Sequence, residues 1–505
     1  MHRPSLEKVD DTVMVELADD LKHGEQLVDS RPDILQSLSQ DDMARLEKKL
    51  VRKLDIRLLP ILILLFILNI LDRNAIANAR LGGLEEDLGL TQKQYQTAVM
   101  AVWAGYISMM IPSNMLLSVI KPRIYLPVCV AVWGLVAGAS GFTQNFAGIV
   151  VVRFLTGVTE APYFVGKLQT RTSDDRCMMK AIANAEQARN ELPVRISIFY
   201  SGYTLSSAFG GLIAAGIIGN MDGVGGYASW RWLFLIEGAV TVICAVPAYW
   251  ILPNYPATTK WLSEQERALA VWRLSIEADG EEDTVQGSVW KGLKEACSDL
   301  KVWLLVIIQT GAVMGMSFTY FFPSIVATLG YPRVETLLLT APPYFAAFIF
   351  AIANSWHSGK TLERGWHITI ACCIGIVGQI TAMSTTVIGA RYFAFFLCAM
   401  GAFSAFQVIL SWVSSTIPRP KAKRAVAIAM ATAISNGVGN IPTAYLYPTE
   451  NAPLYRMGSI VLTCALAVCA TASVTLKFWL KRLNRQASAR DAESNAPLTT
   501  FRYIT

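Results

Sequence analysis

Long apolar runs separated by short polar connections are the main pattern along this chain. Twelve runs of about 20 residues each are long enough to cross about 30 Å of hydrocarbon as helices. They lie near 56–78, 94–118, 123–141, 147–168, 195–218, 231–252, 301–323, 337–356, 367–386, 391–413, 425–446 and 457–480. The pattern therefore predicts an all-α membrane protein with twelve transmembrane helices.

The connections divide these runs into two halves. The longest connection, 253–300, follows the sixth run, and six runs on each side are typical of secondary transporters with repeated halves. Ser263 and Glu266 in this connection form a capping-box pattern, which predicts the start of a short helix. The expected parts are a polar, disordered tail at 1–51, a six-helix bundle at 52–252 with an unusual polar insertion at 167–190, an inter-bundle loop at 253–300, a second six-helix bundle at 301–480 and a tail at 481–505.

Basic residues predict the orientation of the helices. Lys and Arg are concentrated in the connections on the side of both chain ends, as in Lys421, Lys423 and Arg424, whereas most opposite connections carry a single one. Connections rich in Lys and Arg stay in the cytoplasm. We therefore expect both termini to be cytoplasmic. We also expect the protein to lie in the plasma membrane. The first apolar run would serve as its own insertion signal, because the polar start does not resemble a signal peptide.

The composition supports a membrane protein and argues against several other classes. The chain of 505 residues is only 16% charged, while soluble domains carry roughly 25% charged residues. The net charge of +6 is spread over short loops, which argues against nucleic-acid binding. Nine cysteines without a CxxC pair predict no metal site, no disulfide framework and no cofactor. The run 354–361 resembles a phosphate-binding loop, but Asn354 replaces its first glycine and no strand precedes it, so we expect no ATP hydrolysis. The sequence has no HExxH pair and no Ser/His/Asp arrangement, so we expect no enzyme activity.

Two charged residues end the first apolar run. Asp72 and Arg73 are adjacent, so on a helix their side chains point about 100° apart and need partners on other helices. Ionisable residues at membrane depth mark a substrate or ion pathway by default. In the fourth run, Arg153 and Glu160 are seven residues apart, which places them on the same helix face.

The depths of these four residues predict how they pair. Asp72 lies about 24 Å from the inner end of its span, and Arg153 about 9 Å below the outer surface of a core about 30 Å thick. We therefore predict two crossed pairs, Asp72 with Arg153 and Arg73 with Glu160. Fixed ion pairs that only join two helices are the alternative. Such pairs can be replaced by apolar residues at little loss, so we favour a switchable set.

Other polar residues inside the spans are weaker candidates. We predict that Glu237 in the sixth span pairs with Arg231 and has a structural role. The polar groups that either bind a substrate or join helices by hydrogen bonds are Tyr106, Tyr200, Tyr320, Asn436 and Asn440. The small residues that allow close helix packing include Gly134 and Gly138, Gly210 and Gly211, Gly311 and Gly315, and Gly437 and Gly439.

Several specific motifs occur along the chain, namely LDRNAIANARLGGLEEDLGL at 71–90, RFLTGVTEAP at 153–162, FYSG at 199–202, WRWLFLIEG at 230–238, TAPPY at 340–344 and NAP at 451–453. In combination they resemble the fungal allantoate permease family, a branch of the anion:cation symporters within the major facilitator superfamily. The resemblance covers residues 50–480 and implies the major facilitator fold.

The resemblance implies a function and assigns residues to it. Members of the family import small organic anions, mostly carboxylates such as allantoate, nicotinate and pantothenate, usually with protons. By similarity to related bacterial sugar-acid transporters, Asp72, Arg153 and Glu160 would carry proton coupling. Arg73 would bind the anion. In the mechanism that we predict, a proton on Glu160 weakens its hold on Arg73, whose guanidinium then binds the substrate carboxylate.

The chain departs from the family pattern at two places. A polar stretch at 167–190 stands where the family has a short connection. Either a real insertion or a gene-model fault would explain this difference. In the inner loop at 357–365, Gly359 and Lys360 replace an Asp-Arg pair, so we expect no acid to anchor a helix end there. The first departure leaves a non-transporting or weakly transporting nutrient sensor as the alternative function. A channel is disfavoured, because crossed ion pairs would plug an open pore.

Overall fold

Helices and turns make up the part of the chain that the computed structural model describes, namely residues 32–120, 122–168, 192–252, 259, 261–279, 289–417, 421–493 and 503–504. The long helices in these ranges are α1 (Gln40–Leu81), α2 (Gln92–Val119), α3 (Pro122–Ala139), α4 (Phe146–Leu168), α5 (Leu192–Asn220), α6 (Ser229–Ile251), α7 (Leu300–Met316), α8 (Arg333–Thr361), α9 (Gly365–Ser384), α10 (Ile388–Thr416), α11 (Lys421–Asn440) and α12 (Arg456–Glu493). The shorter helices are Asp33–Gln36, Leu84–Asp87, Glu264–Asp279, Val289–Ser298 and Phe322–Ala327. A 3-10 turn, Ser317–Phe321, joins α7 to the last of these.

The twelve long helices of the described residues are roughly consistent with the predicted number of membrane spans. By length and composition, ten helices among the described residues can cross a membrane. The other two long helices, α2 and α4, have 28 and 23 residues and pack against each other. The predicted all-α fold, with α1–α6 in one bundle and α7–α12 in the other, is confirmed.

Close helix contacts inside the first bundle depend on glycine. A Cβ atom on Gly157 of α4 would overlap the carbonyl oxygen of Val102 on α2, and one on Gly105 of α2 would overlap that of Phe154. A predicted small residue is used in the same way, since Gly134 on α3 meets the backbone of α6. Because two backbones in contact leave no room for a side chain, α2 and α4 are held at a short, fixed separation.

Side chains from α5, α8 and α10 form much of the interface between the two bundles. The ring of Tyr200 on α5 lies 6.1 Å from that of Phe406 on α10, in an edge-to-face arrangement. A Cβ atom on Gly211 of α5 would overlap Thr340 of α8, so these helices are also in close contact. The interface is therefore tightly packed along α5.

The segment before the first span is helical where the structure describes it. Helix α1 begins at Gln40, where the Ser39 hydroxyl accepts a hydrogen bond of 3.2 Å from the Asp42 N–H. The short helix Asp33–Gln36 precedes it. The prediction of a disordered tail at 1–51 is therefore wrong for its last residues, and 1–31 lie outside the described chain.

Contacts with the inter-bundle loop stabilise this extension of α1. Lys53 donates a hydrogen bond of 2.7 Å to Glu266 in the helix Glu264–Asp279, and Leu50 is buried in a cluster that includes the same helix. Both hydrogen bonds of the predicted capping box, between Ser263 and Glu266, are present. Burial acts to raise the pKa of Glu266, but the hydrogen bonds from Lys53 and Ser263 hold that pKa below its usual value.

Parts of two predicted segments lie outside the described residues. The polar insertion at 167–190 does so apart from the last turn of α4, which ends at Leu168. The same holds for 253–258, 260 and 280–288 in the inter-bundle loop.

Candidate functional site

Arg73 and Glu160 form a buried ion pair between α1 and α4, as predicted. Nη2 of Arg73 lies 2.5 Å and Nε 3.1 Å from the same oxygen, Oε2, of Glu160. The exposed fractions of the two residues are 7% for Arg73 and 0% for Glu160. The pair therefore lies in a low-dielectric environment, where separating the charges without supplying new partners is costly.

Each member of this pair keeps an atom that the pair does not use. Oε1 of Glu160 is buried and has no hydrogen-bond partner among the described residues. Nη1 of Arg73 takes no part in the two hydrogen bonds to Glu160. A buried carboxylate oxygen without a donor is unfavourable, so Oε1 is the atom at which a proton would stabilise the site.

Aromatic rings surround the guanidinium of Arg73. Its central carbon lies 4.5 Å from the ring centre of Trp103 and 5.3 Å from that of Tyr106, both on α2. The ring of Tyr320, in the 3-10 turn after α7, lies 6.4 Å from Trp103. Cation–π attraction favours this position of the guanidinium. We call Arg73, Glu160, Trp103, Tyr106 and Tyr320 the Arg73 cluster. It contains three of the predicted binding residues and includes side chains from both bundles.

Two further predicted binding residues, Asn436 and Asn440, lie on α11. Asn436 is half-buried and Asn440 is buried, and neither forms a hydrogen bond with the Arg73 cluster among the described residues. Their helix faces α2, where Gly437 lies opposite Ile107. A role for these asparagines in binding therefore stays a prediction.

The predicted pair of Asp72 with Arg153 is wrong, because both residues bind other partners. The Asp72 carboxylate accepts hydrogen bonds of 2.8 Å from Trp133 Nε1 and 3.1 Å from Thr241 Oγ1. Arg153 donates instead to the backbone carbonyl oxygens of Asp72 and Arg73, at 3.1 and 2.9 Å. A carbonyl oxygen in a helix keeps a second lone pair, so it can compete with a carboxylate for a guanidinium. Arg153 thus fixes the backbone of α1 where the Arg73 side chain begins.

The predicted pair of Glu237 with Arg231 is also wrong. Nε and Nη2 of Arg231 bind Asp87, which ends the short helix before α2. Glu237 is buried on α6, and neither of its carboxyl oxygens has a partner among the described residues. Arg231 lies in the first turn of α6, next to the loop that carries Asp87, whereas Glu237 is nearly two turns farther along the helix.

An acid anchors the turn between α8 and α9, contrary to the prediction from Gly359. Glu363 accepts a hydrogen bond of 2.9 Å from the N–H of Trp366 in the first turn of α9. Its carboxylate also lies 2.8 Å from Nδ1 of His367 and 2.5 Å from Nζ of Lys477 on α12. Burial acts to raise the pKa of Glu363, but the hydrogen bonds from His367 and Lys477 outweigh it and lower that pKa to about 2.

Sequence reasoning missed Trp103, Trp133 and Thr241. Trp103 lies three positions before Tyr106, and residues three apart on a helix share a face, so the spacing was a usable signal. Trp133 and Thr241 reach Asp72 from α3 and α6. No spacing in the sequence links these two helices to α1.

Comparison with known proteins identifies the class. The family model described as Major Facilitator Superfamily matches residues 62–444. This chain therefore belongs to the Major Facilitator Superfamily, whose members are membrane transporters and not enzymes.

Individual relatives agree with this assignment. The MFS-type transporter cnsO of Penicillium expansum is 33% identical over 86% of this chain and 83% of its own length. The major facilitator-type transporter hxnP of Emericella nidulans is 31% identical over 89% of this chain and 88% of its own length.

Solved structures with a similar fold include two transporters. A bacterial homologue of the human lysosomal transporter Spinster, in an inward-facing and occupied conformation, has a TM-score of 0.60 at 14% identity, over 83% of this chain and 96% of its own. The proton:xylose symporter XylE has a TM-score of 0.59 at 14% identity, over 84% of this chain and 95% of its own. At these identities the likeness supports the fold alone.

Proposed function

We propose that this chain is a proton-coupled symporter for a small organic anion, in the allantoate permease branch of the anion:cation symporters. The observation that carries the proposal is the arrangement of Arg73 and Glu160. One carboxylate oxygen holds the guanidinium, and the other has no partner among the described residues. One exchange then accommodates both ligands: the proton binds to Glu160, and the anion takes the place of its carboxylate at Arg73.

Arg73 and Trp103 supply the hydrogen-bond donors for the anion. Once Glu160 is neutral, Nε and Nη2 of Arg73 form a fork that matches a carboxylate. Nε1 of Trp103 is buried without an acceptor among the described residues, so it is a further donor beside this fork. Nicotinate, allantoate and pantothenate are the carboxylates to which the family resemblance points.

Proton binding and anion binding favour each other in this arrangement. The ionised Glu160 competes with the substrate for Arg73, and a proton on Oε1 removes that competition. An anion bound to Arg73 in turn leaves Glu160 without a cation, which makes its charged form costly. Each ligand thus raises the affinity for the other by the same factor.

Asp72 and Arg153 support the site without binding the transported proton in this proposal. Arg153 holds the α1 backbone at two carbonyl oxygens beside Arg73. Asp72 joins α1 to α3 and α6 through Trp133 and Thr241. Both residues therefore fix the position from which Arg73 reaches Glu160.

We place both chain ends in the cytoplasm and the protein in the plasma membrane. The excess of Lys and Arg in the connections on the side of the chain ends supports this orientation. The two bundles would then move relative to each other around the Arg73 cluster, exposing it to one side of the membrane at a time. An inward proton gradient would drive uptake into the cell.

Uptake by proteoliposomes that contain the purified full chain tests the anion site. We expect an inward proton gradient to drive accumulation of one member of a panel of nicotinate, allantoate, pantothenate and sugar acids. Arg73→Ala should abolish this uptake, because the substrate carboxylate loses its cation. Arg333→Ala, which changes an exposed arginine on α8, is the matched control and should transport like the wild type. Near-normal uptake by Arg73→Ala would overturn the proposal.

Glu160→Gln tests the proton step separately. The amide cannot exchange a proton, so this variant should still exchange labelled substrate across the membrane but should not accumulate it. Accumulation against a gradient by Glu160→Gln would remove this residue from the coupling. Saturable binding by the wild type without flux of any panel member would favour a nutrient sensor.

A further inference from the structure

A small cavity lies in the second bundle, at the end opposite the two chain ends. Its wall includes Phe318, Phe322, Phe395, Gln379, Arg391 and Tyr455. None of these residues belongs to the Arg73 cluster. The cavity is thus separate from the proposed transport site.

Arg391, in the wall of this cavity, is a buried cation without an anionic partner in the described part of the chain. It is 3% exposed, and its Nη2 donates to Thr328 Oγ1 at 2.8 Å and to the Pro453 carbonyl at 2.6 Å. Nε has no hydrogen-bond partner, and no carboxylate forms an ion pair with this guanidinium among the described residues. Buried charges are normally paired, because an uncompensated charge in a low-dielectric environment is costly.

Two further features of the cavity favour a negative charge. Arg391 lies in the first turn of α10, which begins at Ile388 and whose N-terminal end carries a partial positive charge. Gln379 on α9 is 5% exposed, lines the cavity and uses neither of its amide hydrogens in a bond to the described residues. The amide and the guanidinium can therefore donate to one small ion.

The backbone at the cavity also has an unusual conformation. Tyr455 lies in the left-handed region, with φ of 43°. A bulky residue adopts this conformation only where its surroundings impose it, and such residues concentrate at ligand sites. The loop before α12 is therefore held in a defined position against Arg391.

We propose that this cavity binds one small monovalent anion, either a halide such as chloride or a small carboxylate. The rings of Phe318, Phe322 and Phe395 form the apolar part of its wall. An anion in the cavity would complete the charge balance of Arg391. This inference does not depend on the transported substrate.

The same site adjoins a contact between the two bundles. Tyr447 lines the cavity, and its carbonyl oxygen accepts a hydrogen bond of 3.1 Å from Gln92 at the start of α2. Thr449 donates a second bond, of 2.8 Å, to the same glutamine. An anion that orders the loop around Tyr447 would therefore also stabilise these hydrogen bonds between the two bundles.

Thermal unfolding of the purified full chain in detergent tests the site. Samples in sodium chloride or sodium acetate are compared with samples in sodium gluconate, which is too large for the cavity, at equal ionic strength. We expect chloride or acetate to raise Tm by a few degrees with a saturable dependence on concentration. The more effective of the two salts identifies the class of anion.

Variants distinguish an anion site from a purely structural arginine. Arg391→Gln should lose the dependence on the anion, while Arg456→Gln, an exposed arginine at the same end, should keep it. Arg391→Lys, which keeps the charge but not the fork, should need several-fold more anion for half of the effect, and it replaces Arg391→Gln if that variant does not fold. A wild-type Tm that is equal in all three salts would overturn the proposal. So would an anion dependence in both Arg391 variants that matches the wild type.

Discussion

The buried carboxyl groups of the first bundle differ in the donors that surround them. Glu160 accepts two hydrogen bonds from a guanidinium, Asp72 accepts two from neutral groups, and Glu237 accepts none among the described residues. An ionised carboxylate in the interior is stable only with donors or a cation, so the cost of its charge rises in this order. Of the three, only Glu160 is held by a group that also suits a carboxylate substrate.

Removing the Asp72 carboxylate is expected to lower thermal stability. Asp72→Ala takes the acceptor from two buried donors, Trp133 Nε1 and the Thr241 hydroxyl, at a cost of about 1–3 kcal/mol each. Glu237→Gln is the control, because it keeps the shape of a side chain that no donor of the described residues binds. Thermal unfolding should place its Tm close to that of the wild type. A larger fall in Tm for Glu237→Gln than for Asp72→Ala would contradict these assignments of their contacts.

At the scale of single residues, the sequence predicts the ion pair but not the other contacts. The pair of Arg73 with Glu160 follows from depth along two antiparallel helices, which the helix rise determines. The partners of Asp72 could not be predicted, because hydroxyl and indole donors occur in many spans. Arg153 was assigned wrongly because carbonyl oxygens, which every residue has, accept from a guanidinium as well as a carboxylate does.

The contact between α2 and α4 sets the geometry of the candidate site at the scale of elements. Gly157 lies one turn before Glu160 on α4, and Gly105 directly precedes Tyr106 on α2. Each glycine meets the backbone of the other helix without space for a side chain. The distance between these helices therefore fixes how Glu160 and Tyr106 face Arg73.

Gly157→Ala is expected to destabilise the protein and to impair the site. The added Cβ would overlap the Val102 carbonyl oxygen, and overpacking of this kind costs about 1–3 kcal/mol. Gly216→Ala on α5 is the matched control, since nothing lies within 4 Å of its Cβ position. Alanine is the better helix former by about 0.5–1 kcal/mol, so the control should be neutral or stabilising. Equal Tm values for the two variants would refute the close contact.

Helices that cross the membrane could be predicted, but the extension of α1 could not. The apolar runs identify the spans because a helix in hydrocarbon must be apolar over its whole length. Residues 40–51 are polar, and their helix is stabilised by contacts with Glu264–Asp279, which is distant in sequence. Leu46, Leu50 and Leu54 recur at every fourth position, which is a helical pattern that the prediction of a disordered tail overlooks.

The turn between α8 and α9 is expected to lose stability in acid. The pKa of Glu363 is lowered from 4.5 to about 2, so its contribution is fully present above about pH 4.5 and is lost as the pH falls towards 2. Glu363→Gln should therefore lower Tm at pH 7, and its difference from the wild type should shrink through this window. Glu335→Gln, an exposed acid on α8, is the control and should show no such change. A difference that stays constant from pH 7 to pH 3 would argue against the contacts of Glu363.

At the scale of the whole molecule, hydrogen bonds between the bundles close the end opposite the chain ends. Gln92 on α2 binds Tyr447 and Thr449, and the hydroxyl groups of Thr97 and Tyr445 lie 3.2 Å apart. These bonds join the two bundles beside the proposed anion cavity. The sequence predicts that two bundles exist. It could not predict which end is closed, because the same pattern of apolar and polar positions fits a molecule that is closed at either end.

The location of Arg73 and Glu160 within one bundle has an electrical consequence. With the substrate absent, the guanidinium and the carboxylate cancel, so the empty site has no net charge. With a proton on Glu160 and a monovalent anion on Arg73, the site is again neutral. A proton without the anion would leave an unpaired buried cation, so that form is too costly to cross the membrane. Both forms that complete the cycle are thus electroneutral.

Uptake should therefore respond to the proton gradient and not to voltage. An imposed potential of 100 mV would contribute about 2.3 kcal/mol for each elementary charge that is moved, and the proposed cycle moves none. Potassium-diffusion potentials of either sign, set with valinomycin at constant pH on both sides, should leave the initial rate unchanged. A rate that rises with an inside-negative potential would mean that positive charge accompanies the anion. A cell with such a carrier could accumulate its substrate even when its membrane is depolarised.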